Sequence, residues 1–346
     1  MSDVAAAFSG IGATRLAIFI VAALAGWACF ALWYQAPGGK VLKSVTVAAW
    51  ATLSVATLIA LGQHRSMFGI LCFAVAFGIL LAWWHRLKPS NDRVWADDVA
   101  QMTTGTVEGT WVTLHNVRNF DWCTSTDYTQ RWESRSYDLQ RLDSVDMILS
   151  YWSYRAIAHV LISFGFEEGK HVVFSVEIRR KKGEGFSEIG GFFKEFELSI
   201  IAADERDVIR VRTNIRGEDD YLYQIRLPIP AMRSLFLAYV EQANGLAITP
   251  RFYNTISVNC TTLVYHMVKH IVGFLPWDYR LVLSGYLPTY VYRIGGLDTR
   301  YGLEELRAFA CITQRAKESG RSDTFSADIR RGMPRVDSQR PPVSAP

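Results

Sequence analysis

Three stretches near the amino terminus, Leu16–Tyr34, Ser44–Gly62 and Met67–Trp84, carry no charged residue. Each is long enough to cross a hydrocarbon core of roughly 30 Å. A buried helix of a soluble protein shows a polar stripe at a period of about 3.6 residues, and none of the three does. They are read as transmembrane helices, spans 16–34, 44–62 and 67–84, within a membrane region of residues 1–93. Trp33, Tyr34, Trp83 and Trp84 stand at span ends, where aromatic rings favour the interface. A signal peptide fits the first stretch poorly, because its apolar run is long and two more spans follow. Leu24-Ala-Gly-Trp-Ala-Cys29 looks loosely like a lipoprotein box, but the spacing to the cysteine is wrong.

Beyond the polar linker His85–Arg93 the pattern changes. Alternation over Gly109–Val117 and Asp143–Tyr151 predicts strands, and residues 118–142, polar and aromatic without a clear period, read as a loop. His159–Phe166 and His171–Arg179 predict a hairpin, with Glu195–Ile201 and Tyr221–Leu227 as further strands. Pro230–Asn244 predicts a helix that Pro opens and Asn244-Gly245 closes. Cys260–Phe274 predicts a second helix, with Asn259 as its N-cap. From Lys317 the chain turns Arg-, Ser-, Asp- and Pro-rich, which predicts a disordered tail, 317–346. The expected architecture is three N-terminal transmembrane helices and an α+β domain, 94–316. That domain is expected to have a central antiparallel sheet and a helix that starts at the cysteine and packs on the sheet.

Composition narrows the partners. Of 346 residues 50% are hydrophobic and 20% charged, with a net charge of +4, which excludes a disordered chain. The charge is +5 over residues 1–88, −4 over 89–314 and +3 over 315–346. The middle offers no basic face for a phosphate backbone, so no nucleic acid is expected as partner. Five scattered cysteines without a C-x-x-C pair form neither a disulfide scaffold nor a zinc knuckle. Neither metal nor cofactor is expected. Arg15 and Arg65 lie on one side of the spans, and Lys40, Lys43, Arg86, Lys88 and Arg93 on the other. The positive-inside rule then puts the soluble domain in the cytoplasm.

The candidate chemistry centres on Asn259-Cys260-Thr261-Thr262, ahead of the helical run Leu263–His270. A cysteine in a first helical turn meets unpaired N–H groups and the positive end of the dipole, which favour the thiolate. The same N–H groups can hold the oxyanion of an acyl-transfer intermediate. The bland alternative is an inert buried cysteine. His64 and His85 lie at membrane boundaries and His115 on a strand. His266 and His270 share a face of the cysteine helix, but Met267 stands where a zinc enzyme of that spacing has glutamate. His159 is the better base. A turn at Glu167-Glu168-Gly169 pairs residues whose numbers sum to 336, so His159 faces Glu177 across the hairpin and His171 falls at the loop end, opposite Gly165. Glu177 can orient His159 and stabilise its charged form, as the third member of a triad does; a plain cross-strand ion pair is the alternative. His171 is the rival orienter. The aromatic stretch from Phe274-Leu-Pro-Trp277 to Tyr286-Leu-Pro-Thr-Tyr-Val-Tyr292 can line an acyl groove, rest at an interface or be ordinary core.

A histidine on a strand, followed about a hundred residues on by Asn-Cys at a helix start, resembles the circularly permuted papain-like fold. That superfamily includes NlpC-type wall peptidases and the lecithin:retinol acyltransferase group. More closely, a set of strings looks like the Lnb N-terminal periplasmic domain family. They begin with Asn116-Val-Arg-Asn119, Ser150-Tyr-Trp152, Ala158-His159 with Ser163-Phe-Gly-Phe166, and Ser175-Val-Glu177. Arg212-Thr-Asn214, Tyr221-Leu-Tyr223, Tyr253-Asn-Thr255 and Asn259-Cys-Thr-Thr262 follow, so the likeness covers about 95–310. The resemblance implies a bacterial lipoprotein N-acyltransferase-like enzyme in which Cys260 carries the acyl group and His159 is its base. Asn259, Arg212, Asn214 and Tyr253 are then candidates for the binding pocket. It further implies an inner-membrane location with the soluble domain in the periplasm, against the charge count, and membrane lipid and lipoprotein or cell-envelope peptide as partners. The alternatives are a membrane-anchored cysteine peptidase or amidase of the envelope, and a binding domain that does not use its thiol.

Overall fold

A computed structural model describes residues 2–63, 67–334 and 336. His64 and Arg65, used in the charge count above, and the end of the expected tail lie outside the described residues. The chain divides into two units: residues 1–90 with 187–195, and residues 91–186 with 196–346.

The first unit holds α1 (Ser2–Gln35), α2 (Lys40–Gly62) and α3 (Met67–Arg86). All three are long and apolar enough to cross a membrane. Ala25, Ala28 and Ala31 are buried on α1, and small side chains of this kind let membrane helices approach closely. Trp50 of α2 fills the space beside them and donates its indole N–H to the Ala25 carbonyl at 3.1 Å. The segment 187–195 belongs to this unit. Phe193 stacks on Phe30 and Tyr34, with ring centroids 5.4 and 5.8 Å away, and meets Trp84 edge-on. Gln35 ties the segment down by donating to the carbonyls of Phe193 and Lys194 at 3.0 and 2.6 Å.

The second unit is built on a sheet. Its strands are β1 (Thr104–Glu108), β2 (Trp111–Arg118), a small separate pair β3 (Asp121–Trp122) and β4 (Tyr128–Thr129), then β5 (Trp132–Asp138) and β6 (Leu142–Tyr151). β7 (His159–Phe166), β8 (His171–Arg179) and β9 (Glu197–Ala203) follow, then the short helix α4 (Glu205–Arg210) and β10 (Asp219–Gln224). The helices α5 (Ile229–Ile248), α6 (Thr262–Val272), α7 (Leu287–Arg293), α8 (Leu303–Ala310), α9 (Thr313–Ser319) and α10 (Phe325–Ile329) complete it. The main sheet has eight strands in the order β1-β2-β9-β8-β7-β6-β10, with β5 also on β2. It is mixed rather than wholly antiparallel, because β2 meets β9 in parallel at Arg118 and Ala203.

Strand alternation gives the sheet two covered faces. On the first, Val160, Ile162 and Phe164 of β7 and Val172, Phe174 and Val176 of β8 join Phe236 and Tyr239 of α5 and Leu263 of α6. Phe236 stands edge-on to Phe164 and Phe174, with centroids 5.1 and 5.4 Å away. On the second face an apolar stripe of Ile148, Leu161, Val173, Ala203 and Leu222 packs against α4, α9 and α10.

Three expectations need correction. Residues 118–142 are not a loop but contain β3, β4 and the edge strand β5. Their period was hidden because β5 turns Glu133 and Arg135 inward onto ionic partners, Arg135 meeting Asp204 at 2.8 Å. The expected helix stop at Asn244-Gly245 does not operate and α5 runs on to Ile248. The Asn244 side chain is instead spent on Gly105 of β1, accepting from its N–H at 2.9 Å and donating to its carbonyl at 2.8 Å. The tail expected from 317 is ordered through residue 334, because Phe325 and Ile329 fill the second face and Arg330 reaches two buried carboxylates. It bonds Asp146 at 2.7 Å and Glu205 at 2.5 Å.

Burial pushes Glu205 up, and Arg330, His171 and the Ser163 hydroxyl outweigh it and hold it at about 2. Arg330→Ala leaves both carboxylates buried without that cation, so the expected loss is up to about 3–5 kcal/mol. Urea unfolding of the detergent-solubilised chain reads it. Because the folded pKa is depressed, the wild-type contribution is present above the ordinary 4.5 and is lost as pH falls towards about 2. An Arg330→Ala curve that coincides with wild type at pH 7 removes this account of the tail.

Candidate active site

The segment before α6 is folded by asparagine side chains. Asn254 Oδ1 accepts from the N–H groups of Ile256 and Ser257 at 3.1 and 3.0 Å and closes a turn. Asn259 Oδ1 then accepts from the N–H groups of Thr261 and Thr262, both at 2.8 Å, while its amide donates to the Thr255 carbonyl at 2.7 Å. Asn259 is thus the cap that the sequence predicts, although α6 starts at Thr262, two residues after the cysteine. The capping corrects one chemical expectation. Asn259 Oδ1 takes the N–H groups of Thr261 and Thr262, and the Leu263 N–H goes to the Asn259 carbonyl at 3.2 Å, so none of these is left for an oxyanion. Among the described residues the Cys260 N–H carries no hydrogen bond.

The hairpin register is the one the sum of 336 demands: Leu161 pairs with Ser175 and Gly165 with His171. His159 lies just past the last pair, at the open end of β7. Its Nε2 sits 2.7 Å from Ser175 Oγ and 3.2 Å from Glu177 Oε1, and the Ser175 hydroxyl donates to Glu177 at 2.7 Å. With Nε2 committed to this side, Nδ1 is the ring nitrogen left for Cys260, whose thiol is electrostatically coupled to His159. The Val160 backbone N–H and the Thr261 hydroxyl also face the sulfur. Arg212 completes the group by donating to Glu177 at 3.2 Å. It projects from Val211–Arg216, a π-helical turn that continues α4, and such turns are frequent at functional sites.

The electrostatics follow from burial set against pairing. Burial pushes the Cys260 thiol up, but the hydrogen bond and charge of His159, with Val160 and Thr261, bring it below its ordinary value. Burial pushes His159 down, and Glu177 together with the thiol raises it to about 9. Burial raises Glu177, and His159, Arg212 and Ser175 hold it well below the usual carboxylate range. The pairing therefore shifts the couple towards thiolate and imidazolium. Tyr253 is pushed well up by burial and by the Cys260 and Glu177 charges, so it faces the site as a neutral phenol.

Of the residues singled out from sequence, Cys260, His159, Glu177, Asn259, Arg212 and Tyr253 come together. Asn214 does not. It donates to the Ala316 carbonyl at 3.2 Å and accepts from Thr213 at 2.7 Å, which anchors the π-turn to α9. His171 is not the orienter, because it lies at the loop end of the hairpin and lines a separate cavity with Arg135, Asp204 and Arg206. His266 and His270 are exposed. Ser175 was missed as a chemical residue. Its signal is the two-residue strand period, which puts it on the Glu177 face. Ser150, paired with His159, and Asp220, paired with Ser150, extend the same polar row across β6 and β10.

This electrostatic balance predicts how the thiol titrates. Iodoacetamide should alkylate Cys260, followed by peptide mass mapping, at pH values below the ordinary thiol range. His159→Ala should move the midpoint upward, because only Val160 and Thr261 then oppose the burial of the thiol. Glu177→Gln should lower the pKa of His159. His159 is raised on folding, so its pairing stabilises the fold fully below the ordinary 6.5 and is lost as pH rises through about 9. An alkylation midpoint unchanged in His159→Ala contradicts the ion pair.

Residues 128–285 match the family model described as the Lnb N-terminal periplasmic domain. That range is narrower than the 95–310 of the sequence resemblance, yet it holds His159, Glu177, Arg212, Tyr253, Asn259 and Cys260. No curated protein and no solved structure matches the chain. Three apolar helices and a periplasmic-domain family together fit an inner membrane protein. Over residues 128–285, the second unit of this chain is thus similar to the Lnb N-terminal periplasmic domain family.

Proposed function

We propose that the chain is a membrane-anchored thiol acyltransferase that moves an acyl group from a lipid to an amine by way of a thioester on Cys260. The observation that carries this reading is the buried Cys260–His159 pair, with Glu177 and Ser175 on the far side of the imidazole. The Cys260 thiolate attacks the ester carbonyl of the donor, and the carbonyl oxygen takes the charge. The Cys260 N–H, just ahead of α6, is the donor that the capping leaves for that oxyanion. Collapse expels the lipid alkoxide, which takes the proton from His159 Nδ1, and the acyl group stays on sulfur. An acceptor amine then attacks the thioester, His159 takes one of its protons, and Cys260 leaves as thiolate. Glu177, with Arg212 and Ser175, keeps the imidazole aimed and stabilises its charged form through both steps. The family name favours a lipoprotein amine as acceptor and a periplasmic placement of the second unit.

Full-length protein in liposomes with acyl-labelled phospholipid should acquire label, and Cys260→Ser should abolish it. His159→Ala should slow labelling about 10²–10⁴-fold, the usual worth of a general acid–base group. Absence of label together with Cys260-dependent cleavage of a cell-wall peptide would replace transfer by hydrolysis. If neither occurs, the enzyme reading fails and a binding domain remains.

The placement has its own check. A reporter active only after export, fused behind Arg93, should be highly active. An inactive reporter puts the domain in the cytoplasm, as the positive-inside count has it.

A further inference from the structure

The loop that follows α6 carries apolar side chains that the site chemistry does not use. Phe274 and Trp277 are 82% and 71% exposed, and Tyr279 and Tyr286 are also exposed. Beside this loop, the exposed Trp152 meets the exposed Phe186 edge-on, with ring centroids 6.3 Å away. Exposed large aromatic side chains gathered in this way on a folded unit mark an interaction site.

The loop is firmly built. Tyr265 and Tyr290 donate their hydroxyls to the carbonyls of Leu275 at 2.8 Å and Pro276 at 2.7 Å. Its own charges are spent internally, Arg280 lying 3.2 Å from Asp278, whose carboxylate also caps the Arg280 N–H at 2.9 Å. Gly285 donates to the Ala156 carbonyl at 3.0 Å, and a Cβ there would lie 2.0 Å from the Arg155 carbonyl oxygen, which fixes the loop against the segment after Trp152. It is fixed to the site as well. Ser284 bonds both backbone groups of Ala158, the residue before His159, at 2.7 and 3.0 Å, and Tyr265 belongs to the helix that Cys260 precedes.

We infer that this aromatic surface rests in the headgroup region of a phospholipid bilayer and presents the mouth of the Cys260 site to lipid. Chain connectivity argues for lipid over another occupant. Only Leu87–Ser90 separates α3 from the second unit, a reach of about 14 Å at most at 3.3–3.6 Å per residue. The chain also leaves the second unit at Phe186, a residue of this surface, and enters Ser187–Glu195, which packs on the ends of the spans. A bilayer is therefore always within reach of the surface. Exposed Trp, Tyr and Phe side chains suit the interfacial region, and the exposed Arg155 beside them suits the phosphate level of the headgroups. The inference deepens the lipid-substrate reading by naming the surface that meets the lipid.

The test uses the full chain in phosphatidylcholine vesicles, with its five cysteines replaced by serine, Trp277→Cys introduced and an environment-sensitive fluorophore attached. The expected result is a blue shift on reconstitution, loss of emission with nitroxide-bearing phospholipid, and no quenching by aqueous iodide. Quenching by iodide but not by lipid nitroxide overturns the inference. So does protection that appears in detergent and rises with protein concentration, which assigns the surface to a second copy. The unmodified chain supplies a second measurement that covers misfolding of the cysteine-free one. A photoactivatable phospholipid should leave adducts on residues 274–286 as well as on the spans, and adducts confined to the spans overturn the proposal. Neither readout needs a reactive thiol. Lipid contact without Cys260-dependent labelling therefore sinks the acyltransferase alone, and labelling without lipid contact sinks this surface alone.

Discussion

A carboxylate taken out of water must be met by a cation or a proton, and the second face of the sheet is organised around that constraint. Asp207, fully buried, receives Arg118 at 2.8 and 3.1 Å, the Trp122 indole at 2.7 Å and the Phe120 N–H at 2.9 Å. That one side chain joins α4 to β2 and to the small β3–β4 pair. Asp146 and Glu205 share Arg330, which draws the last helix onto the sheet. Asp220 takes the other course: burial raises it to about 8, so it keeps its proton, bonded by Ser150. Glu177 is met by Arg212 and by His159. At Glu177 one of the cations, His159, also acts on the Cys260 thiol, which sets that carboxylate apart from the others.

The site also depends on where the ladder stops. The pairing of β7 with β8 ends at Leu161 and Ser175, so His159 and Val160 stand beyond it. The Val160 N–H is then available to the Cys260 sulfur. Cys260 belongs to the core of the first face, whereas Glu177 and Arg212 lie on the second. The two halves of the ion pair thus reach each other around the end of the sheet. A longer ladder would use Val160 in the sheet and close that route.

Much of this was legible because the determinants are local. A turn at Glu167-Glu168-Gly169 fixes the hairpin register, both Glu168 and Gly169 having positive φ, and the register fixes which side chain faces His159. Asn-Cys before an apolar helical run announces the cap. What escaped was decided by partners distant in sequence. β5 reads as loop because its inward positions are Glu133 and Arg135, which become intelligible only beside Asp204. The last ordered segment reads as a solvated tail because the carboxylates that need Arg330 lie 184 and 125 residues away. The parallel contact of β2 with β9 has no local signature at all.

The two ends of the Cys260 segment divide the labour of the thiol. Asn259 uses its side-chain oxygen to satisfy the amides that begin α6, which steadies the helix start and leaves those donors unavailable to the sulfur. The thiolate therefore owes less to bare helix N–H groups than a first-turn cysteine would. His159 supplies the largest effect opposing its burial, and His159 in turn is held charged by Glu177. The ionisation of Cys260 is thus biased from across the sheet end rather than by its own helix. On this geometry a change at Glu177, Ser175 or Arg212 that leaves α6 untouched still reaches the sulfur through the imidazole.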